Sequence, residues 1–327
     1  MSVYREDLIK KSSLFKEIFE YIESRRAIIE EKILSEISEY RDEIGEIADY
    51  IVSGGKRLRG VLTMLVAEAL NGSIENTLDA AIAIEMVHSA SLALDDIIDG
   101  DLLRRGKPSS WVKYGISQTV LVSNFLIPKA QLMIKRYGFE ALLNVIQAWL
   151  HATLGEILDV FGELKLLPSQ YEKIINLKTA SVFKMAAYLG SKAANASENY
   201  VKIATEYGEL LGILYQVVDD LTDVLSGDAE KLNSRSIKLF LSWLNVGDAP
   251  DLNEVLNKAS ERIIEFIEMI SRKASLFPES KYKKIIMVFP VVTVYALLSE
   301  AGERGVKYFY EKIYSKIAYE YDTYFRE

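Results

Sequence analysis

The chain has 327 residues, half of them hydrophobic and 26% charged, which is enough to bury a large core. Its net charge of −8 argues against a nucleic-acid coat or a general attraction to anionic lipid. The absence of cysteine excludes disulfides, thiol catalysis and thiolate metal sites, and two histidines, His88 and His151, are too few for most zinc chemistry.

In chain order, Met1 to Lys11 is too charged for a secretory signal. Apolar residues then recur at three- and four-residue spacing. The spacing predicts helices over 5–21, 23–52, 56–71, 75–99, 117–136, 139–163, 169–191, 197–226, 235–246, 251–275, 279–300 and 303–325. Ser73-Ile74-Glu75-Asn76 after Gly72 suits a stop and restart, Ser117 precedes an apolar run, and Asp251-x-x-Glu254 after Pro250 has the pattern of a capping box. Alternating strand patterns are short and isolated. Six prolines and no Ser/Gly/Pro-rich stretch leave no linker, so a single all-α domain over residues 1–327 is expected. The apolar run Ile285 to Leu298 contains Pro290 and Thr293 and is too short to span a bilayer. It reads as a buried helix of a cytoplasmic protein without a transmembrane segment.

Charge is concentrated in a few segments. Ser53-Gly54-Gly55-Lys56-Arg57-Leu58-Arg59-Gly60 places three cations at the start of a helix, and its glycines let the backbone approach a ligand. Side-chain donors beside unsatisfied N–H groups form a natural anion site. Asp95-Asp96-Ile97-Ile98-Asp99 and Asp219-Asp220-Leu221-Thr222-Asp223 are each embedded in apolar sequence. Like charges one helical turn apart repel by roughly 0.2–0.5 kcal/mol per pair, and by more where water is excluded. Two such clusters point to bound cations, and carboxylates alone favour hard ones such as Mg²⁺ or Ca²⁺. Arg104-Arg105-Gly106 follows the first cluster and either neutralises it or binds phosphate oxygens beside it.

Taken together these segments resemble the trans-polyprenyl diphosphate synthase family. The resemblance rests on Gly54-Gly55-Lys56-Arg57-Leu58-Arg59, on His88-Ser89-Ala90-Ser91-Leu92-Ala93-Leu94 running into the first Asp cluster, and on Arg104-Arg105-Gly106-Lys107-Pro108. Further on come Gly155-Glu156-x-x-Asp159, Lys178-Thr179 and Tyr215-Gln216 before the second cluster. His88 to Leu94 and Asn124-Phe125-Leu126-Ile127-Pro128 look most like archaeal medium- or long-chain, hexaprenyl-type enzymes. The resemblance implies an isoprenoid synthase-like helical bundle around a central cavity, and commonly a homodimer. It implies head-to-tail condensation of isopentenyl diphosphate with an allylic prenyl diphosphate. Asp95, Asp99 and Asp219 would then ligate Mg²⁺, with Asp96, Asp220 and Asp223 as further or water-mediated ligands. Arg104 and Lys178 would hold the allylic diphosphate. Lys56, Arg59, His88 and Arg105 would hold that of isopentenyl diphosphate. Thr179 and Gln216 would orient dipoles toward an allylic cation, and the departing diphosphate would take the final proton.

Some positions depart from the family pattern. Ser226 to Lys238 lacks the Gly-Lys found in many members, which leaves Lys231, Arg235 or Lys238 to supply the cation. Gly60 stands for the usual Pro, Glu156 for Gln, and Ser123-Asn124 for Gly-Asp. Ala90 and Ser91, about one turn before Asp95, are small, so the upper part of a product tunnel should be open. That predicts a product longer than geranylgeranyl diphosphate, of geranylfarnesyl or hexaprenyl type. Trp149 is either the tunnel floor or core. A geranylgeranyl diphosphate synthase and a partner subunit of a heteromeric synthase are the alternatives. The second should have lost aspartates from one cluster, and this chain keeps all six. The paired basic segments argue against a terpene cyclase or head-to-head enzyme. A di-iron bundle would need repeated Glu-x-x-His pairs, and only Glu85 and His88 make one.

Overall fold

No glycine or proline occurs between Ser13 and Ile44, and the first helix, α1 (Ser13–Ser38), runs through the break expected near residue 22. The chain turns instead at Glu39 and Tyr40 before α2 (Arg41–Val52), which is kinked at Gly45. The computed structural model describes residues 13–162, 167–247 and 251–318. Residues 5–12, residue 163, Pro250 and residues 319–325 of the predicted elements lie outside the described residues.

After α2 come α3 (Leu58–Ala69) and α4 (Ile74–Asp99). A two-stranded hairpin, β1 (Leu103–Arg104) and β2 (Lys107–Pro108), follows, too short to leave an alternating pattern in the sequence. Then come α5 (Ser110–Tyr114), α6 (Ile116–Ile134), α7 (Phe139–Phe161) and α8 (Pro168–Ile175). A π-helical turn (Asn176–Ala180) joins α8 to α9 (Ser181–Ala193), where the sequence predicted one unbroken helix. The remainder is α10 (Glu198–Ser226), α11 (Ala229–Leu232), α12 (Arg235–Trp243), α13 (Leu252–Ser275), α14 (Lys283–Leu298) and α15 (Gly302–Tyr308), with a second π turn at Phe309–Tyr314.

Of the expected caps, Ser73 forms: its Oγ accepts from the Asn76 N–H at 3.3 Å. Ser117 falls inside α6, because the helix already starts at Ile116 behind Gly115. The Asp251 side chain makes no cap bond, and Glu254 pairs with Lys258 one turn on at 3.3 Å instead of reaching back.

α9 lies between α3, α4 and α10. Small residues set these spacings. A Cβ on Gly190 would stand 2.4 Å from the Thr63 carbonyl oxygen of α3, and one on Gly208 of α10 2.6 Å from Ala187 of α9. α3 is buried along its whole length and α14 almost so. By length and composition two helical stretches would reach across a bilayer, Phe139–Phe161 and Lys283–Ala318. The second corrects the expectation of a run too short to span, because turns beyond Leu298 extend it. Its most apolar window is 72% buried inside the bundle, as for a core helix.

α1 is tied to α3 by charge. The Glu68 carboxylate accepts from Tyr21 Oη at 2.6 Å and from Arg25 Nε and Nη2 at 2.9 and 2.6 Å. Burial pushes Glu68 up, but hydrogen bonds from Arg25, Tyr21 and Tyr282 outweigh it and hold the carboxyl below its usual range. This contribution is present above the unfolded glutamate pKa of about 4.3 and is lost as pH falls through the lower folded value. Removing one partner of a buried pair strands the other charge. Glu68→Ala should therefore cost about 3–5 kcal/mol, read as a lower urea midpoint with an unchanged slope.

Candidate active site

The basic loop between α2 and α3 turns on Gly54 (φ 78°), Gly55 (φ 98°) and Arg57 (φ 53°). Its three cations separate. Arg57 is buried and structural: it donates to Glu30 Oε2 at 3.0 Å, to Ser89 Oγ at 3.2 Å and to the Val52 carbonyl, and lies 3.7 Å from Glu85. The same Glu85 accepts the Gly60 N–H at 2.7 Å, a bond that proline at position 60 would lack. Lys56 pairs with Glu300 from the turn after α14. Burial pulls its ammonium down to about 8, against the opposing field of Asp219. Arg59 donates from Nη1 to His88 Nε2 at 2.9 Å, and its guanidinium covers the Phe183 and Tyr215 rings at 4.6 and 5.5 Å. Among the described residues Arg59 has no carboxylate ion pair. Burial, then Arg59, Arg105, Arg57 and Arg104, hold His88 well below its usual range. The imidazole is therefore neutral, with Nε2 as acceptor and the proton on Nδ1.

The hairpin brings its two arginines to different places. Arg104 Nε donates to Asp96 Oδ1 at 2.7 Å, and Nη2 contacts Asp96 and Asp101. Arg105 Nη1 donates to the Ser53 carbonyl at 3.2 Å. Its guanidinium lies on Gly55, where a Cβ would stand 2.6 Å from Nη2. Tyr50 Oη fixes the hairpin by donating to the Pro108 carbonyl at 2.6 Å.

The six aspartates divide into two sets. Asp96 is taken by Arg104. Asp220 accepts from Tyr171 at 2.6 Å and Gln216 at 3.1 Å, and Asp223 pairs with Lys231 at 2.5 Å. Among the described residues Asp95, Asp99 and Asp219 accept no hydrogen bond and form no ion pair. Burial, then Glu156, pushes Asp95 up to about 7; burial raises Asp99; burial and Asp223 raise Asp219. Among the described residues no three His, Asp or Glu side chains stand ready to hold a metal ion by themselves. A few open carboxylates fit Mg²⁺, which favours one or two carboxylates with substrate phosphates and water over an all-protein cage.

Lys178 and Thr179 lie in the π turn, pressed against α7. A Cβ on Gly155 would be 2.5 Å from the Lys178 nitrogen. Lys178 Nζ pairs with Glu156 at 2.7 Å and Asp159 at 2.8 Å. Burial opposes its charge, but the two carboxylates outweigh it and hold the ammonium above its usual range. The Thr179 hydroxyl donates to Gln216 Oε1 at 2.7 Å. A cavity of about 70 Å³ lies here, lined among others by Lys178, Thr179, Gln216 and Asp220. A larger cleft of about 470 Å³, between Glu68 and Tyr282, shares no residue with this site.

Of the three candidate replacement cations, Lys231 reaches the second cluster. Arg235 Nη1 instead donates to the Asp159 carbonyl at 2.8 Å, and Lys238 is exposed. Ala90 is fully buried, Ser91 Oγ donates to the His88 carbonyl at 2.9 Å, and Trp149 packs on the core. Two residues of the site escaped the sequence reading. Tyr171 sits in an ordinary amphipathic stretch, and Glu300 is remote in sequence; only the fold brings them in.

Residues 41–238 match the family model described as Polyprenyl synthetase. The chain is 34% identical over 287 residues to the hexaprenyl pyrophosphate synthase of Saccharolobus solfataricus, covering 87% of this chain and 98% of that protein. It is 37% identical over 194 residues to the geranylfarnesyl diphosphate synthase of Methanosarcina mazei, covering 57% and 64% of the two. The solved geranylgeranyl pyrophosphate synthetase of Pyrococcus horikoshii superimposes with a TM-score of 0.74 at 25% identity, over 86% of this chain and 98% of that one. A match across more than half of this chain, and across nearly all of one relative, makes the protein a member of the polyprenyl synthetase family and a prenyltransferase.

Proposed function

We propose that the protein condenses isopentenyl diphosphate head to tail with an allylic prenyl diphosphate. The observation that carries this reading is the division of charge. Asp95, Asp99 and Asp219 are open oxygen donors without a cation, while Arg59 and His88 form a basic pair without a carboxylate. Two separate polar surfaces suit two diphosphates. Mg²⁺ held by Asp95, Asp99 and Asp219 would supply the Lewis-acid charge that lets the allylic C–O bond ionise. Lys178 sits beside that position and is free to exchange Glu156 or Asp159 for a phosphate oxygen. Arg59, His88 and Arg105 bind the other diphosphate, with Lys56 after it leaves Glu300. Arg104 serves first to neutralise Asp96. The Thr179 and Gln216 dipoles face the developing positive charge. The reaction requires that water be excluded, since it would quench the cation.

Ala90 and Ser91 support a product longer than geranylgeranyl diphosphate, of geranylfarnesyl or hexaprenyl type. Two curated relatives are named for such products. A homodimer is part of the same reading. Phe139, Leu143, Ile146, Leu150, Leu154, Ile157 and Phe161 recur every three or four residues along α7, and all are exposed, Phe161 at 79%. An apolar stripe of this length on one helix fits a second copy of the same helix.

Three outcomes test these statements. Purified protein given Mg²⁺, isopentenyl diphosphate and each allylic starter should elongate at least one of them beyond twenty carbons, and chelation by EDTA should stop it; no elongation with any starter refutes the enzymatic reading. Ala90→Phe should shorten the radiolabelled product, at a stability cost of about 1–3 kcal/mol from overpacking, and an unchanged product distribution counts against the tunnel. Leu150→Glu should convert a dimer to a monomer in light scattering. A wild-type monomer rejects the interface.

A further inference from the structure

The geometry points to Tyr171 as a positioning residue, whose hydroxyl locks Asp220 and thereby sets which way the Gln216 and Thr179 dipoles face. The inference rests on the prenyl-transfer reading above. Tyr171 is buried on α8, with its ring 5.3 Å from that of Trp243 and 5.8 Å from that of Phe240. Trp243 is held in turn, donating from Nε1 to Glu172 Oε1 at 3.1 Å. The Tyr171 ring therefore has little freedom, and its hydroxyl donates to Asp220 Oδ2 at 2.6 Å.

The consequence follows along a chain of donors. Both carboxyl oxygens of Asp220 act as acceptors, Oδ2 from Tyr171 and Oδ1 from Gln216. With Oδ2 taken, Oδ1 faces Gln216 and requires its N–H₂ end, at 3.1 Å. The Gln216 amide must then turn Oε1 the other way, where it accepts the Thr179 hydroxyl at 2.7 Å. The Thr179 proton is used up inside the protein, and its oxygen lone pairs remain for the 70 Å³ cavity that Thr179 lines. That is the orientation a developing cation needs. Without the Tyr171 hydroxyl, Asp220 can rotate and the amide can flip. A flipped Gln216 offers N–H to Thr179, which then turns its own proton toward the cavity and toward the positive charge. Among the described residues the Arg59–His88 pair makes no hydrogen bond to any member of this chain, so its binding surface should be unaffected.

Tyr171→Phe keeps the ring and removes the donor. The kcat for elongation should fall about 10- to 100-fold, the range for side chains that act by orienting a site residue. The KM for isopentenyl diphosphate should stay within about twofold, and the melting temperature should hold. In the double variant Tyr171→Phe/Gln216→Leu the loss should not exceed that of Gln216→Leu alone, because both act through one chain. Calorimetry gives a readout without turnover. A prenyl ammonium salt with inorganic pyrophosphate should bind Tyr171→Phe about 10-fold more weakly than wild type, while a prenyl thiodiphosphate, whose prenyl chain carries no positive charge, binds both alike. Wild-type kcat in Tyr171→Phe, additive losses in the double variant, or equal weakening of both analogues overturns the proposal. Should Tyr171→Phe not fold, Gln216→Glu breaks the same chain from its middle; retained kcat there is equally fatal. Failure of wild type to elongate would count against the prenyl-transfer reading, and the calorimetric comparison would still decide the role of Tyr171.

Discussion

Three carboxylates, Asp95, Asp99 and Asp219, that have no hydrogen-bond or ion-pair partner among the described residues are the constraint around which this protein is arranged. Each of Asp95, Asp99 and Asp219 is pushed toward its neutral form by burial. Removing a charge from water costs several kcal/mol even after relaxation. The other aspartates have partners: Asp96 pairs with Arg104 and Asp223 with Lys231, while Asp220, which burial pushes well above the usual carboxylate range, accepts from Tyr171 and Gln216. The helices that carry the clusters are held apart by α9, whose contacts with α3 and α10 are set by Gly190 and Gly208. The strain of the open carboxylates is thus held by ordinary helix packing elsewhere.

The basic side follows the same logic of sorting. Lys56, Arg57 and Arg59 are near neighbours in sequence but serve different ends. Arg57 spends its donors on Glu30, Ser89 and Val52 and fixes the loop. Arg59 is left over two neighbouring aromatic rings, which shield it without neutralising it. A guanidinium so placed is a stronger anion site than one already paired with carboxylate. Its neighbour His88, kept neutral, adds a donor without adding a second positive charge.

Much of this was legible in the sequence, for reasons that can be named. Helix periodicity and a shortage of strand patterns were enough for the all-α class, because periodicity reports burial directly. The family motifs marked the clusters, the basic loop and Lys178-Thr179, because chemistry there demands particular residue types. What escaped depends on three-dimensional neighbours. The π turn at Asn176–Ala180 leaves no compositional trace and shows itself only where Gly155 presses on it. The helix break expected near residue 22 is absent, because no glycine or proline there interrupts the backbone. Gly60 looked like a departure from the pattern, yet its N–H is the group that Glu85 needs. Likewise, Lys231, Arg235 and Lys238 are equivalent cations in sequence, and only the short α11 helix singles out Lys231.

The last of these bears on how the site opens. Each cluster has one aspartate in an ion pair, but the pairs are unequal. Asp96 is 3% exposed where Arg104 meets it, whereas Asp223 and Lys231 are 35% and 53% exposed. An exposed pair is worth at most about 1 kcal/mol and weakens with salt. Breaking a buried one leaves an uncompensated charge and costs several times more. The first cluster is therefore fixed in place by its arginine and by the hairpin that Tyr50 anchors. The second holds its lysine loosely, at the end of a helix that finishes in Gly227. A change of ion partner therefore costs less at the second cluster than at the first. The asymmetry makes the α10–α11 pair the cheaper of the two to exchange.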